Sequence, residues 1–372
     1  MKEVIMWQIT DNTNWKHLED TFEWVRVMQE VPQDVRHHAE GNVAVHTQMV
    51  LAALEQLPAY QALPPQEQAI LWAAALLHDV EKYSTTAIHP DGSITAAGHA
   101  RKGEMRVRQI LYRDIPTPFA IREQIAALVK YHGLPLWIFE KPDPQRALIT
   151  ASLNADTRLL ALLARADILG RICADQADLL YRLDCFEELC RENECWGQPR
   201  PFASAHARSH YLLHEHAAAD YVPYGQPAAQ VILMSGLPGA GKDTYIQRHY
   251  KQWPLISLDN IRREMKISPD DKSGNGIVIQ AAKALAREHL RAGRSFVWNA
   301  TNITRQLRAQ LISLFTQYHA AVTIIYVEVP ASILLQQNRQ REEIVPHAVM
   351  QRLISKLEVP GREEGGEVVY IV

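Results

Sequence analysis

Through the first 192 positions the apolar residues fall into helical stretches. Residues 16–57 read as helices, and Asn42 is placed to cap the segment that opens Val43-Ala44-Val45-His46. Leu63-Pro64-Pro65 breaks the chain. Gln66 to Glu81 then reads as one helix, apolar enough to be buried on most sides. His89-Pro90-Asp91-Gly92-Ser93 is a turn. Further helices are expected at 98–112, 118–132 and 151–192. No strand pattern precedes residue 229, which predicts an all-helical front half.

The pattern then changes. Gly197 to Pro201 and Tyr221 to Pro227 mark a junction, with a helix between them that belongs with either half. Gln230-Val231-Ile232-Leu233-Met234-Ser235, Ser295 to Asn299 and Ala321 to Val329 are apolar runs of strand length separated by helical stretches. That alternation predicts a parallel sheet with crossover helices. The expected organisation is a helical domain over 1–200, a linker helix and junction over 201–228, and an α/β domain over 229–372.

A length of 372 residues fits two domains, each with its own core. The longest apolar stretch, Ala69 to Leu77, falls well short of the roughly 20 residues that cross a bilayer. Met1 to Gln8 lacks an apolar leader and a small-residue cleavage site. A cytoplasmic protein without a membrane partner is expected. Charge divides unevenly: residues 228–372 hold 18 basic against 13 acidic residues, the rest 21 against 29. A mildly basic back half suits a polyanionic substrate, and drift between domains explains it equally well. Cys173, Cys185, Cys190 and Cys195 lack paired zinc spacing and are expected to stay reduced.

The first strand of the back half leads into Gly236-Leu237-Pro238-Gly239-Ala240-Gly241-Lys242-Asp243-Thr244, and a helix follows. Glycines let backbone N–H groups curl around phosphate, and the helix N-terminus adds partial positive charge. Gly236, Gly239, Ala240, Gly241, Lys242, Asp243 and Thr244 are therefore expected to bind a nucleoside triphosphate, with Lys242 on its β- and γ-phosphates. Asp243 stands where a magnesium-linked Ser or Thr is usual. Asp259, beyond a short apolar run, is placed either to take a proton from an attacking hydroxyl or to cap a helix. Arg262 is placed to hold an acceptor phosphate. Arg339 and Arg341 lie on a polar stretch that forms either a lid over the γ-phosphate or a charged surface helix.

These pieces, with Asn299-Ala300-Thr301-Asn302-Ile303-Thr304-Arg305 and Ile344-Val345-Pro346, make residues 230–372 resemble the P-loop kinase branch that contains polynucleotide kinases. The resemblance implies that Asp259 is the general base for a 5′-OH, that Arg262 binds the acceptor, and that Lys242, Arg339 and Arg341 serve the transferred phosphate. It also implies ATP or another NTP with Mg2+. The chain departs from the family at Asn299, where an acidic metal-linked residue is common, and in arginines two rather than four apart.

In the front half, His46, His78, Asp79, His99, His132 and Asp167 each begin or end an apolar helix. In this order they resemble the H…HD…H…H…D signature of the HD phosphohydrolase superfamily over about residues 35–190. The resemblance implies that His46, His78, Asp79 and Asp167 hold one divalent ion. His99 and His132 would serve a second, with Asp79 shared and Lys82 on the phosphate. Mn, Co, Ni and Zn all suit such ligands. His38 and Glu40 read equally as a helix-entry turn. His206, His210 and His214 share one helix face, as ligands or as a packed linker helix.

The order of the two domains resembles bacterial HD–Pnk RNA-repair enzymes. That implies removal of 2′,3′-cyclic, 2′- or 3′-phosphate by the first domain and phosphorylation of a 5′-OH by the second. The partners implied are RNA or DNA ends as substrate and a separate RNA ligase. Two rivals stand beside it: an HD nucleotidase fused to a small-molecule or nucleoside kinase, and a non-catalytic NTP-binding regulatory module. Oligomeric state leaves no mark on the sequence.

Overall fold

The computed structural model describes residues 6–268, 270–341 and 343–372. Residues 1–5, on which part of the expectation about the start of the chain falls, lie outside the described residues. The chain divides into two compact units at Pro201/Phe202.

The first unit packs helices around one apolar core. Val43–Gln56 begins where the Asn42 side chain accepts from Val45 N at 3.0 Å, which satisfies one of the donors every helix start leaves open. Pro65–Leu77 buries every side chain from Ile70 to Leu77. His99–Gln109 and Phe119–Tyr131 follow. The expected helix over 66–81 ends at Leu77, so His78 and Asp79 stand in the turn beyond it. The end of a helix gives adjacent side chains the freedom to turn inward together.

Two expectations need correction. The span 151–192 is not one helix but the end of Pro144–Ser152, then Thr157–Leu169 and Gln176–Glu192. Asp156 caps the second of these by accepting from Arg158 N and Leu159 N. Gly170 closes it, lying so close to Val50 that a Cβ would come within 2.7 Å of the Val50 backbone nitrogen. The front half is also not wholly helical. Two short antiparallel strands, β1 (Ala87–Ile88) and β2 (Ile94–Thr95), flank the His89-to-Ser93 turn.

The second unit is built on a parallel five-stranded sheet. Its strands are β3 (Ala229–Ser235), β4 (Leu255–Ser257), β5 (Phe296–Asn299), β6 (Ala320–Val327) and β7 (Glu367–Ile371), in the order β4-β5-β3-β6-β7. Val231, Leu233, Phe296, Trp298 and Ile324 fill its core. β3, central and almost wholly buried, delivers the glycine loop at its carboxyl end, where ligands of open α/β sheets bind. The helix Ala205–Leu213 groups with this unit, and Gly365 packs against its Leu213. Among the described residues no single helix is long and apolar enough to cross a membrane; one pair, Pro144–Ser152 and Thr157–Leu169, passes by composition but bends by 110°.

Candidate active sites

The first unit brings all six expected metal ligands together. His46 rises from the first turn of Val43–Gln56, His78 and Asp79 from the turn after Leu77, and His99 from the start of its helix. His132 follows Phe119–Tyr131, and Asp167 sits in the last turn of Thr157–Leu169. His46 Nε2 lies 3.1 Å from Asp167 Oδ1 and 3.8 Å from Asp79 Oδ2. His78 Nε2 is 3.2 Å from Asp79 Oδ2. On the other side, Asp79 Oδ1 is 3.4 Å from His99 Nε2 and 3.9 Å from His132 Nε2. Asp79 thus belongs to two ligand-spaced groups, one with His46 and His78 and one with His99 and His132.

The donor set fits divalent ions. His46 Nε2, His78 Nε2 and Asp79 Oδ1 are buried without a hydrogen-bond partner, a cost that folded proteins avoid unless something else satisfies the atoms. Three of the rings are aimed by their own chain. Nδ1–H of His78, His99 and His132 donates to the carbonyls of Ala75, Ala96 and Val129 at 2.7, 2.8 and 2.8 Å. That fixes Nε2 as the lone-pair nitrogen, the form a metal takes. Burial and the neighbouring His99 and His78 push the pKa of His132 down to about 3, keeping it neutral. Burial opposes charge on His78 too, but Asp79 and Asp167 outweigh it and raise its pKa. Burial likewise opposes ionisation of Asp79, where His78 and Lys82 prevail, and of Asp167, where Arg171 and His46 prevail; both carboxylates are held well below their usual range.

Lys82 Nζ sits 2.8 Å from Asp79 Oδ2 and donates to Gln33 Oε1 at 2.6 Å. It lines, with Asp79, His99, His132, Lys130 and Arg171, a cavity of about 1120 Å³. Arg171 was missed by sequence reading. Its guanidinium grips both oxygens of Asp167, Nε donating to Oδ1 at 3.0 Å, and its only sequence signal is a position four residues after Asp167 beyond the helix end.

In the second unit the glycine loop has the backbone it needs. Gly236, Gly239 and Gly241 all adopt positive φ, and a Cβ on Gly236 would lie 2.3 Å from Val327 O, so no other residue fits there. Ala240 is buried. Lys242 opens the helix Lys242–His249 and donates from Nζ to Gly236 O and Leu237 O, both at 2.9 Å. Burial lowers its pKa to about 8, against Asp243 and Asp259 and with help from Arg341. Bound phosphate would raise it again. Thr244 is exposed in the same helical turn. Asp243 Oδ1 accepts from Asn299 Nδ2 at 2.6 Å, while Asn299 Oδ1 is buried without a partner. A carboxylate and a carboxamide therefore stand where a hydroxyl and a carboxylate are usual, and the oxygens of both are hard donors suited to Mg2+.

Asp259 does not cap its helix. Ser257 does, accepting from Asn260 N. Asp259 is exposed and ion-pairs with Arg262, whose Nε donates to Asn275 Oδ1 at 3.0 Å. The two arginines of the supposed lid part company. Arg339 ends the helix Ala331–Arg339 and is exposed. Arg341 lies past it, in a loop that Asn338 closes through bonds to Val345 O and from Val345 N at 2.8 and 3.1 Å. Its Nη1 is buried without a partner and its charge reaches Lys242. Arg341→Ala should therefore slow phosphoryl transfer about 10²-fold or more, and Arg339→Ala by less than about tenfold. Steady-state kinetics of the two variants checks this; equal effects would contradict the assignment.

His206, His210 and His214 are not brought together as ligands. The His210 and His214 rings stack at 4.1 Å, and His214 Nδ1–H donates to His210 O. The three form no ligand-spaced group among the described residues. All four cysteines are free thiols.

Residues 43–183 match the family model described as HD domain, and residues 231–360 the one described as AAA domain. Over 136 residues the chain is 24% identical to an L-seryl-tRNA(Sec) kinase of Methanococcus maripaludis; the alignment covers 35% of this chain and 53% of that protein. The chain thus spans about half the length of the curated relative it matches. A solved structure of a kinase candidate from Chloroflexus aurantiacus aligns with 40% of this chain and 86% of its own, at 18% identity and a TM-score of 0.34. Motifs, fold and family matches agree that the chain joins an HD phosphohydrolase domain to a P-loop kinase-like domain.

Proposed function

We propose that the protein heals broken polynucleotide ends, with the first domain clearing phosphate from a 2′,3′-cyclic, 2′- or 3′-phosphate terminus and the second phosphorylating a 5′-OH. The observation that supports this reading is that one chain joins a buried His/Asp cluster spaced to hold divalent ions to a glycine loop with Lys242 at a helix start. One removes phosphate and the other adds it, which suits a substrate with two ends to be corrected. Sealing would fall to a separate RNA ligase.

In the first domain, His46, His78, Asp79 and Asp167 would hold one ion, and Asp79, His99 and His132 a second. Divalent ions there would activate water and polarise the phosphoryl group. Lys82 stands at the cavity wall to neutralise a phosphate oxygen, and Arg171 keeps Asp167 ionised and oriented. In the second domain, Lys242 and Arg341 would take the charge of the transferred phosphoryl group. Asp259 would accept the proton of the attacking hydroxyl once Arg262 turns to an acceptor phosphate. The retained Lys242, Asp259 and metal-ligand set speak against a non-catalytic NTP-binding module.

A second reading draws on the L-seryl-tRNA(Sec) kinase relative, whose name specifies a substrate carried on tRNA: the acceptor hydroxyl here would then be something other than a 5′ end. A single gel assay tests end healing. A short RNA with a 5′-OH and a 2′,3′-cyclic phosphate is offered with γ-labelled ATP, magnesium and manganese. Label at the 5′ end together with an opened, dephosphorylated 3′ end is expected. Turnover of nucleosides or mononucleotides with no reaction on the oligonucleotide would overturn end healing in favour of an HD nucleotidase joined to a small-molecule kinase.

A further inference from the structure

His46 differs from the other three histidines of the metal centre. Their Nδ1 atoms are tethered to carbonyls three residues earlier in the chain. His46 sits inside a helix, where the preceding carbonyls are already engaged, and its Nδ1 lies 2.9 Å from Glu40 Oε1, with the Gly170 carbonyl farther off at 3.3 Å. The Glu40 side chain is wholly buried. Burial opposes its ionisation, but His38, His46 and the Ile172 amide hold its pKa below the usual carboxylate range.

Glu40 also ties three segments together. Its Oε2 accepts from Ile172 N at 2.9 Å, and Ala39 N donates to Ile172 O at the same distance. This two-way strap fastens the loop before the His46 helix to the chain just beyond Asp167. The same Oε1 lies 2.8 Å from Nδ1 of His38, which lines the cavity.

We propose that Glu40 is a positioning residue of the metal centre: it accepts a hydrogen bond from Nδ1–H of His46 and so holds Nε2, as a lone-pair donor, toward Asp79 and Asp167. The inference rests on the reading of His46 as a metal ligand. A carboxylate behind a ligating histidine fixes its tautomer and raises its basicity, and losing such a partner costs about 10- to 100-fold in metal affinity. His38 hangs on the same carboxylate but serves the cavity wall, so it is dispensable for loading.

The test titrates Mn2+ into full-length apo protein and reads free Mn2+ by electron paramagnetic resonance, without substrate. Glu40→Gln is expected to weaken Mn2+ binding about 10- to 100-fold and to lose phosphohydrolase activity that excess Mn2+ restores. His38→Gln should bind Mn2+ within about twofold of the parent. Glu40→Asp, which keeps the charge on a shorter arm, should fall between, and it serves if Glu40→Gln fails to melt cooperatively. Unchanged Mn2+ affinity in folded Glu40→Gln, or activity lost without a change in affinity, overturns the proposal while leaving the metal reading intact. Equal loss of Mn2+ in His38→Gln also overturns it, in favour of a third ligand set made by His38, Glu40 and His46. A parent protein that takes up no Mn2+ defeats the metal reading itself.

Discussion

Asp79→Ala should abolish phosphate removal while leaving 5′-phosphorylation within about twofold of the parent. The expected loss is about a thousandfold or more, or roughly 4 kcal/mol of transition-state stabilisation. Asp79 is the residue common to both ligand groups, so its removal should empty two ion sites at once, whereas loss of His132 would strip only the second. Lys82 would also lose the carboxylate 2.8 Å away and keep only its bond to Gln33. The second unit has its own core and sheet, which is why kinase activity should persist. Metal content and both activities are measured on the same preparation. Loss of both activities in a protein that melts cooperatively would sink the two-site assignment.

Lys242→Ala should give the mirror image: 5′-phosphorylation down by about 10²- to 10³-fold, with phosphate removal untouched. Lys242 has two jobs. Its ammonium braces the loop through the carbonyls of Gly236 and Leu237, and it is positioned to meet developing charge on the transferred group. Truncation therefore weakens nucleotide binding as well as turnover. Isothermal titration with ATP and Mg2+, run beside both activity assays, checks the prediction. Full nucleotide affinity in the variant would show that the loop does not use this lysine.

Much of this architecture was legible in the sequence, and the exceptions have physical causes. The glycine loop could be read because positive φ demands glycine locally, and the Pro65–Leu77 helix because burial on all sides leaves an unbroken apolar run. The six residues that the structure brings together were singled out by their order at helix ends, although Asp79 and Asp167 are 88 positions apart in sequence. The stop at Gly170 carries a signal that was passed over, since glycine commonly follows a helix end; what the sequence alone does not carry is its close approach to Val50, more than a hundred residues earlier. β7 escaped because it is an edge strand whose residues are only half-buried, so no apolar run announces it. β1 and β2 are two residues each, too short to carry a period. Glu40, as more than a helix-entry turn, emerges only when distant segments meet, whereas Arg171 reaches back four residues to Asp167 from beyond the helix end, where no apolar pattern marks it. The difference between Arg339 and Arg341 depends on where a helix ends.

The carbonyl tethers on His78, His99 and His132 have a consequence for how the centre comes to be. Each tether spans three residues and lies within its own helix end, so it needs no distant segment to form. The socket is therefore shaped by folding rather than by the ion that later enters it, unlike small zinc domains that collapse around their metal. Chelation should leave the domain standing, and cations of different kinds should exchange through it as through a lock already cut. Which ion resides there would then follow from the cell's supply, and the hydrolysis proposed for this domain would change character with that supply without any change in the chain.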